Sequence, residues 1–389
     1  MSRFIPYGKQ LIEDDDIAAV AETLRSDFIT QGPKVEEFED ALAAYCGAKH
    51  AVVFNSGTSA LHAAYFAAGL AYGEEFITSP ITFSATATAG LFLGAKPVFA
   101  PVEPDTGNID TASLNDLITS KTKLIVPVHF AGAPVDSKAL FGILQSTGGK
   151  IVIVEDACHA LGTEYRDEST WLKVGALKHS HMCAFSFHPV KAITTGEGGA
   201  VTTNDSLYYR KLKLFRNHGI TKQTDNFVNP EGAPWYYEMQ CEGLNYRMTD
   251  IAAALGISQL KKLPQFIEKR RSVANTYSSA FAGNRYFDLP VERDYAKSSY
   301  HLYHIRLKDK YIKLKLEIFN KLREHGLGVQ CHYIPVYHHP YYRGLGYKNI
   351  ESADDFYSRE ISIPIFPAMT DADVAYVAEK VFETFRWIN

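Results

Sequence analysis

The feature that most constrains the fold of this chain is an alternation of short β-rich runs with helical runs. Residues 51–54 form an apolar run that ends in turn residues, and a helical pattern follows over residues 59–70. The same order recurs at 123–128 and 136–145, and a third apolar run at 150–155 leads into a polar loop. Strands joined by helices build a mostly parallel sheet that is covered on both faces. The sequence therefore predicts an α/β fold, in which ligands bind beyond the carboxyl ends of the strands.

The pattern changes toward the C-terminus and indicates a second, smaller domain. A long helical stretch at 249–282 leaves the alternating region, and Pro264 within it predicts a break or a kink. Beyond it we predict strands at 300–307 and 328–333 and helices at 315–324 and 371–385. We therefore divide the chain into a large α/β domain at 1–248 with two N-terminal helices, a connecting helix at 249–284 and a small α+β domain at 285–389.

Composition narrows the class of protein. The 389 residues carry 40 Lys and Arg against 44 Asp and Glu, a net charge of −4, so they lack the broad basic surface of nonspecific nucleic-acid binding. No run reaches the eighteen or so apolar residues of a membrane span, and the N-terminus shows no apolar leader. The five cysteines are odd in number and form no C-x-x-C pair, which is typical of a reduced compartment. These features predict a cytoplasmic enzyme without nucleic-acid or membrane partners.

The loop after the first predicted strand carries small and hydroxyl-bearing residues at a helix start. It reads Asn55-Ser56-Gly57-Thr58-Ser59. Free backbone N–H groups and the positive end of the helix dipole suit a phosphate at such a position. Taken alone, the same residues are more simply a helix cap.

Two further strand ends carry titratable side chains. The apolar run at 151–154 ends in Glu155 and Asp156, and a carboxylate there either caps the loop or holds a protonated ring nitrogen. The predicted strand at 182–187 is followed by Lys191. An amine among hydrophobic residues has a lowered pKa and acts as a nucleophile, although most lysines are solvated surface groups.

The combination of these features indicates a cofactor. A phosphate-binding turn, an acid at Asp156 and an amine at Lys191 match the needs of pyridoxal phosphate, namely phosphate anchors, a carboxylate at the ring nitrogen and a Schiff-base lysine. The glycines of residues 195–199 fit a tight reversal beside the lysine and lack the spacing of a nucleotide-binding loop. Phe83 stands at another strand end, where it either stacks on the cofactor ring or packs in the core.

A metal enzyme is an alternative that the sequence also raises. His179, His181 and Cys183 alternate along a run that enters a strand, and alternation places them on one face. Three ligands also need converging geometry and an open coordination position, whereas single satisfied histidines are common. We predict no metal site.

Six segments match one known family in the same order along the chain, at 55–61, 155–160, 186–201, 214–219, 243–248 and 331–335. Together they resemble the DegT/StrS-type sugar aminotransferases, which are fold-type I enzymes dependent on pyridoxal phosphate. The resemblance implies a large domain with a mostly parallel seven-stranded sheet between helices and a smaller α+β C-terminal domain. Sugar 3-dehydratases of the same fold carry a histidine in place of the Schiff-base lysine, so Lys191 favours transamination.

The resemblance also implies roles for individual residues. Lys191 would form the Schiff base and move protons, and Asp156 would pair with the ring nitrogen. His159 would lie near the ring oxygen, and Phe83 would stack on the ring. Asn245 would reach the phosphate from the neighbouring subunit, which implies a homodimer with shared active sites. The remaining assignments are Gly57, Thr58 and Ser186 for the phosphate and Tyr7, Asp27, Phe28, Ile29, Thr30, Gln330, Cys331, His332 and Tyr333 for the sugar nucleotide.

Within the family, the segments at 54–56, 301–303, 352–357 and 360–364 resemble the subgroup of pseudaminic acid biosynthesis. That likeness implies L-glutamate as the amino donor and a UDP-linked 4-keto-6-deoxy sugar as the acceptor. A family member that acts on a sugar of another configuration shares every cofactor residue and is an alternative. A non-catalytic regulator that binds pyridoxal phosphate is another, although the chain has no added DNA-binding module and no basic tract.

Overall fold

The computed structural model describes residues 3–229 and 233–388. Residues 1, 2 and 389, at the outer ends of the two predicted domains, and residues 230–232 lie outside this part of the chain. Within it, the α-helices are α1 (Asp14–Arg25), α2 (Pro33–Cys46), α3 (Gly57–Ala67), α4 (Ser84–Leu91), α5 (Leu114–Leu117), α6 (Ser137–Ser146), α7 (Ser206–Arg216), α8 (Asp250–Ala280), α9 (Asp309–Ile312), α10 (Lys315–Glu324), α11 (Pro340–Gly344), α12 (Glu351–Arg359) and α13 (Asp371–Ile388). The strands are β1 (His50–Phe54), β2 (Glu75–Thr78), β3 (Lys96–Phe99), β4 (Thr122–Val126), β5 (Val152–Asp156), β6 (Glu164–Asp167), β7 (Thr170–Lys173), β8 (Met182–Ser186), β9 (Gly199–Thr203), β10 (Ile220–Thr221), β11 (Glu238–Met239), β12 (Phe287–Asp288), β13 (Ala296–Lys297), β14 (Tyr303–Leu307) and β15 (Glu360–Ile363). None of these helices is long and apolar enough to cross a membrane.

The centre of the molecule is a seven-stranded sheet with the strand order β1-β9-β8-β5-β4-β2-β3. Neighbouring strands from β8 to β3 pair in parallel, whereas β9 pairs antiparallel with both β8 and β1. Six strands therefore point in one direction, and their carboxyl ends lie along one edge. The predicted α/β fold with a mostly parallel sheet is confirmed.

Both faces of this sheet are covered, as parallel sheets require. Val52 and Phe54 of β1 pack in one apolar core with residues of α3, while Val53 between them packs in a second core with residues of α2 and α8. This alternation follows from the two-residue period of a strand. A third core forms around Ile125 and Ile153 of β4 and β5.

The long helix α8 runs from Asp250 to Ala280 with Pro264 inside it, so the predicted break is wrong, while the alternative of a kink stays a prediction. Proline removes one backbone hydrogen bond from a helix interior. Here Leu260, Leu263 and Phe266 are buried around it, because α8 packs along α1 and α2. The packing of this apolar face outweighs the lost hydrogen bond.

The C-terminal part builds its own apolar core around β14, which pairs antiparallel with β12 and β15. Val273 and Tyr277 from the end of α8 belong to this core. The predicted strand at 328–333 is wrong, because Gln330 alone forms a bridge there, with Ser362. The ladder ends there, because the His332 backbone N–H donates to the side-chain carboxylate of Glu360 and not to a backbone carbonyl of β15. The division of the chain into domains stays a prediction.

Candidate active site

A cavity of about 460 Å³ lies beyond the carboxyl ends of β1, β2, β4, β5 and β8. The loops after these strands are far apart in the sequence, and the parallel sheet brings them together. The predicted cofactor residues on the cavity wall are Gly57, Thr58, Phe83, Asp156, His159, Ser186 and Lys191, and the predicted substrate residues there are Tyr7, His332 and Tyr333.

The first turn of α3 forms one side of the cavity. The Ser56 hydroxyl accepts from the Ser59 N–H at 3.1 Å, and the Ser59 hydroxyl accepts from the Ser56 N–H at 3.0 Å. The first N–H groups of a helix have no acceptor inside the helix and form its positive end. A Cβ at Gly57 would lie 2.9 Å from the Cβ of Ser186, so this glycine lets the helix start approach the end of β8. The turn is therefore both a helix cap and, with the Ser186 hydroxyl, a suitable phosphate site.

Asp156 is the last residue of β5 and is buried. Its Oδ2 accepts from the Thr86 hydroxyl at 2.6 Å, and its Oδ1 accepts from the Cys158 N–H at 3.1 Å. The carboxylate thus caps its loop, and each oxygen retains further acceptor capacity. A buried carboxylate fixed by two donors is suited to hold a positively charged ring nitrogen in the cavity.

Lys191 lies in the loop between β8 and β9, and it lines the cavity together with Asp156. Its backbone N–H donates to the His188 carbonyl oxygen at 2.9 Å, which fixes the turn that carries it. Burial lowers the pKa of the Lys191 amine, while Cys158 and Asp156 act in the opposite direction. A lowered pKa increases the fraction of neutral amine, the form that attacks a carbonyl carbon. The surroundings of Lys191 therefore suit a nucleophile.

His159 and Tyr333 form a hydrogen-bonded pair on the cavity wall. The Ala131 N–H donates to His159 Nδ1 at 3.3 Å, so this nitrogen is unprotonated and Nε2 carries the ring proton. Nε2 then donates to the Tyr333 hydroxyl oxygen at 2.9 Å. Burial, reinforced by Lys191 and His332, holds the pKa of His159 well below its usual range, so the ring is neutral. This arrangement leaves the Tyr333 hydroxyl proton for a ligand.

Phe83 immediately precedes α4, and its side chain faces the cavity. The residue is 60% exposed, which excludes the alternative that it packs in the core. Its ring contacts the edge of the Tyr333 ring at a centroid distance of 6.3 Å. An exposed aromatic ring beside the buried carboxylate and the amine is available to stack on a planar cofactor.

Several residues of the cavity wall were missed by the sequence analysis, notably Thr82, Thr86, Cys158 and Glu197. The Thr82 and Thr86 hydroxyls lie 2.7 Å apart. Because Thr86 donates its one hydroxyl proton to Asp156, it accepts from Thr82. Their four-residue spacing beside Phe83 was the one signal in the sequence that these threonines face the same side.

The remaining predicted site residues do not line this cavity, namely Asp27, Phe28, Ile29, Thr30, Asn245, Gln330 and Cys331. Asn245 is exposed, and its carbonyl oxygen accepts from the Asn55 side chain at 3.4 Å. Thr30 forms a bridge with Thr249, which joins the segment of Phe28 and Ile29 to the residue before α8. Both predicted contacts thus lie outside the cavity of their own chain.

The three residues weighed as metal ligands make separate contacts. His179 lies 3.0 Å from Asp167, and His181 accepts from the Ile153 N–H at 3.0 Å. Cys183 is buried in an apolar core. Within residues 3–229 and 233–388, no group of three histidine, cysteine or acidic side chains is placed to hold a metal ion.

Comparison with known proteins identifies the same family that the sequence segments resemble. The model of the DegT/DnrJ/EryC1/StrS aminotransferase family matches residues 10–382. The spore coat polysaccharide biosynthesis protein SpsC of Bacillus subtilis is 39% identical over 385 residues, which cover 98% of this chain and 97% of that protein. The UDP-4-amino-4,6-dideoxy-N-acetyl-beta-L-altrosamine transaminase of Campylobacter jejuni strain 81-176 is 41% identical over 389 residues, covering 99% of this chain and 98% of that enzyme.

Solved structures share the whole fold. Helicobacter pylori PseC, described as an aminotransferase involved in the biosynthesis of pseudoaminic acid, superposes with a TM-score of 0.91 at 38% identity, covering 99% of this chain and 100% of its own. The PLP-form of the sugar aminotransferase Spr1654 from Streptococcus pneumoniae has a TM-score of 0.91 at 30% identity and covers 100% of both chains.

The residues on the cavity wall fit pyridoxal phosphate. A helix start that carries free N–H groups suits its phosphate, the buried Asp156 suits its ring nitrogen, and the Lys191 amine suits its aldehyde. The predicted cofactor agrees with the family match and with the solved PLP-form. The chain belongs to the DegT/DnrJ/EryC1/StrS aminotransferase family and is a sugar aminotransferase that depends on pyridoxal phosphate.

Proposed function

We propose that this enzyme transfers an amino group from L-glutamate to C4 of a UDP-linked 4-keto-6-deoxy-N-acetyl hexosamine in pseudaminic acid biosynthesis. The products are a UDP-4-amino-4,6-dideoxy sugar and 2-oxoglutarate. The observation that carries the proposal is the single cavity that holds Lys191 and Asp156 together with the predicted sugar contacts Tyr7, His332 and Tyr333. The names of the Campylobacter and Helicobacter relatives support this choice of substrate.

In this proposal the predicted cofactor residues of the cavity have defined tasks. Pyridoxal phosphate, when bound, supplies an electron sink for the negative charge that develops at the substrate carbon. Lys191 would hold the cofactor through its amine and would move a proton to and from the reacting carbon. Asp156 would keep the ring nitrogen protonated, His159 would face the ring oxygen, and Phe83 would stack on the ring. The residues that would hold the phosphate are Gly57, Thr58 and Ser186.

A second candidate is transamination of a nucleotide sugar with another configuration. The likeness to SpsC, whose name refers to spore coat polysaccharide, is nearly as high as that to the altrosamine transaminase. Both activities use the same cofactor residues, so the walls that contact the sugar decide between them.

A substrate panel separates these two candidates. The purified enzyme is incubated with L-glutamate and UDP-linked 4-keto sugars that differ in configuration, and the amino product is identified by NMR. We expect the 4-amino-4,6-dideoxy product of the altrosamine configuration to form fastest. Faster amination of another configuration would favour the second candidate, and parallel reactions with L-glutamine identify the amino donor.

We further propose that the enzyme is a homodimer in which each subunit contributes Asn245 to the active site of the other. Asn245 lies outside its own cavity and is exposed. The segment of Phe28 and Ile29 is held at the start of α8, the helix that follows Asn245 in the chain, because the Asp250 carboxylate accepts from the N–H groups of Gly32 and Lys34 at 2.7 and 2.9 Å. We therefore assign the predicted sugar contacts Asp27, Phe28, Ile29 and Thr30 to the partner's active site as well.

The surface around these residues supports a second copy of this chain as the partner. Exposed apolar side chains gather on the segments that precede α2 and follow α7. They are Phe28, Ile29, Val228, Trp235, Met239 and Leu244. A contiguous exposed apolar patch is typical of a protein interface, and an interface that completes an active site buries on the order of 2,000 Å² or more. All five cysteines are free, which supports the proposed cytoplasmic location.

Mixing two inactive variants tests the shared site. We expect Lys191→Ala and Asn245→Ala to be nearly inactive alone and to recover activity after subunit exchange. Each heterodimer rebuilds one intact site, so an equal mixture should reach about one quarter of the wild-type rate. The rate is measured after mixing, and subunit exchange is verified by native mass spectrometry.

The matched control is a mixture of Lys191→Ala with Asp156→Asn. These two residues belong to the same subunit's half of the site, so the heterodimer contains no intact site and we expect no recovery. Recovery in this control, an active monomer in sedimentation, or no recovery with Asn245→Ala despite verified exchange would each contradict the shared site.

A further inference from the structure

A buried carboxylate lies behind the wall of the cavity at the start of β15. Glu360 is fully buried. Its Oε2 accepts from the His332 backbone N–H at 2.7 Å, and its Oε1 accepts from the Ser362 hydroxyl at 2.5 Å. The Ser362 oxygen in turn lies 2.9 Å from His332 Nδ1. Glu360, Ser362 and His332 therefore form a chain of hydrogen bonds that ends on a residue of the cavity wall.

The hydrogen atoms of this chain can be assigned from its donors and acceptors. A serine hydroxyl has one proton, and Ser362 donates it to Glu360. Ser362 must then accept from His332, so His332 Nδ1 carries a proton. Burial lowers the pKa of His332 to about 3, which makes the ring neutral with a single N–H. His332 Nε2 is therefore unprotonated and is a hydrogen-bond acceptor.

The charge of Glu360 determines the direction of this chain. Burial raises the pKa of Glu360 to about 7, while Ser362, Lys315 and the His332 N–H act in the opposite direction by stabilising the carboxylate. The titratable groups around it are Lys315 on α10, Tyr357 on α12, and Cys331, His332 and Tyr333 on the loop after α10. Above neutral pH the carboxylate is ionised, and both of its oxygens are acceptors.

The Nε2 atom of His332 is available to a ligand. His332 lines the cavity, and the Tyr7 ring lies beside it at a centroid distance of 5.5 Å. Among the described residues, no side chain or backbone group forms a hydrogen bond with Nε2, in contrast to Nδ1. A bare imidazole nitrogen in a partly closed cavity attracts a donor, because an unpaired polar atom there loses its bonds to water.

We propose that Glu360 and Ser362 are positioning residues that keep His332 Nε2 unprotonated, so that His332 accepts a hydrogen bond from a hydroxyl or acetamido N–H of the sugar. The inference rests on the proposed function, since it names the group of the sugar that this wall recognises. A site that accepts from a donor strongly rejects an analogue without that donor. Glu360 and Ser362 thereby act on specificity through His332 and do not touch the substrate.

The test is Glu360→Gln, which reverses the direction of the hydrogen bonds between residue 360, Ser362 and His332. The His332 backbone N–H requires an acceptor at the Oε2 position, so the glutamine oxygen takes that position and its NH₂ group faces Ser362. Ser362 must then donate to His332 Nδ1, and the ring proton moves to Nε2. We expect the ¹⁵N NMR signals of His332 in the enzyme loaded with cofactor, recorded well above neutral pH, to exchange their protonated and unprotonated positions. We also expect KM for the UDP-4-keto sugar to rise about tenfold or more, while the absorbance of the bound cofactor is unchanged.

Two further variants complete the experiment. Ser362→Ala removes the acceptor for Nδ1 and should also shift the ring proton to Nε2, which keeps the test valid if Glu360→Gln does not fold. Asp354→Asn is the matched control, because Asp354 accepts from His338 at 2.7 Å and neither residue lines the cavity. This control should leave the His332 signals and the KM for the sugar unchanged.

The outcomes separate this inference from the proposed function. An unchanged ¹⁵N pattern in Glu360→Gln and Ser362→Ala would overturn the inference, and so would a changed pattern with an unchanged KM for the sugar. If the proposed function is wrong, the wild-type enzyme does not form the 4-amino product of the altrosamine configuration fastest, whatever the ¹⁵N pattern of the variants. Sugar analogues that lack either the hydroxyl or the acetamido group identify the donor. The affinity of the analogue that lacks the donor should no longer depend on Glu360.

Discussion

Replacing Lys191 with alanine should lower kcat by at least about 10⁴-fold, because it removes two functions at once. Loss of a general acid–base alone costs about 10² to 10⁴ in rate, and loss of covalent attachment adds to this. Wild-type enzyme with cofactor should absorb at roughly 400–430 nm, and borohydride should fix the cofactor on Lys191. The alanine variant should lose both signals, as measured by absorbance and by mass spectrometry of the peptide that contains residue 191.

Two comparisons test whether this effect belongs to the amine of Lys191. Lys191→Arg keeps a positive charge beside Asp156, but a guanidinium stays protonated and is not a nucleophile, so this variant should be equally inactive. Lys121→Ala changes an exposed lysine in the turn before β4 and should retain full activity. Near-normal turnover of Lys191→Ala, or a borohydride label on another lysine, would contradict the assignment.

The lowered pKa of Lys191 adds a pH dependence to cofactor attachment. The neutral amine is the form that attacks the aldehyde, and it predominates at a pH above the pKa of Lys191. Because burial lowers this pKa, attachment should reach its maximum at a pH below the ordinary lysine value of about 10.4. The rate of the absorbance increase after addition of cofactor, followed against pH, measures this shift directly.

The parts of the site that follow strand ends could be predicted from the sequence because each depends on local chemistry. Short stretches of sequence are enough to recognise a helix-capping turn at Ser56, an acid at the end of an apolar run and a lysine after the next predicted strand. The parallel sheet then places all of them at one edge, since its strands share a direction. For this reason Gly57, Asp156, Ser186 and Lys191 line one cavity, as the strand pattern predicts.

Other parts of the site depend on contacts that no short window contains. Thr86 and Asp156 are 70 residues apart, and His332 and Ser362 are 30 residues apart. Their pairing exists only after the sheet and the C-terminal core have formed. The strand predicted at 328–333 was wrong for a related reason, because the carboxylate of Glu360 takes the N–H of His332 away from a strand ladder.

The contacts assigned to a second subunit stay predictions for a different reason. Asn245 and the segment of Phe28 and Ile29 are exposed in the single chain, and their sequences contain nothing that says which surface covers them. A shared site requires both of them to be exposed, and the mixing experiment tests whether the partner subunit's site uses Asn245.

Asp156→Asn should lower the rate of transamination by at least about a thousandfold while the enzyme still binds the cofactor, though less tightly. Asparagine has the size of aspartate and can still accept from the Cys158 N–H, so the loop should keep its shape. The lost component is the negative charge that holds a proton on the ring nitrogen. Cofactor binding is measured by titration of the absorbance, and the rate by formation of 2-oxoglutarate.

Variants of Thr86 distinguish the effect of the Asp156 charge from the effect of the position of its carboxylate. Thr86→Val replaces the hydroxyl that donates to Oδ2 with a methyl group of similar size, so the carboxylate keeps its charge and loses one anchor. We expect a smaller decrease in rate than for Asp156→Asn, and Thr86→Ser, which restores the hydroxyl, should recover most of it. If Asp156→Asn instead has a near-normal rate, the carboxylate only caps the loop through Cys158, and neither Thr86 variant should then affect transamination.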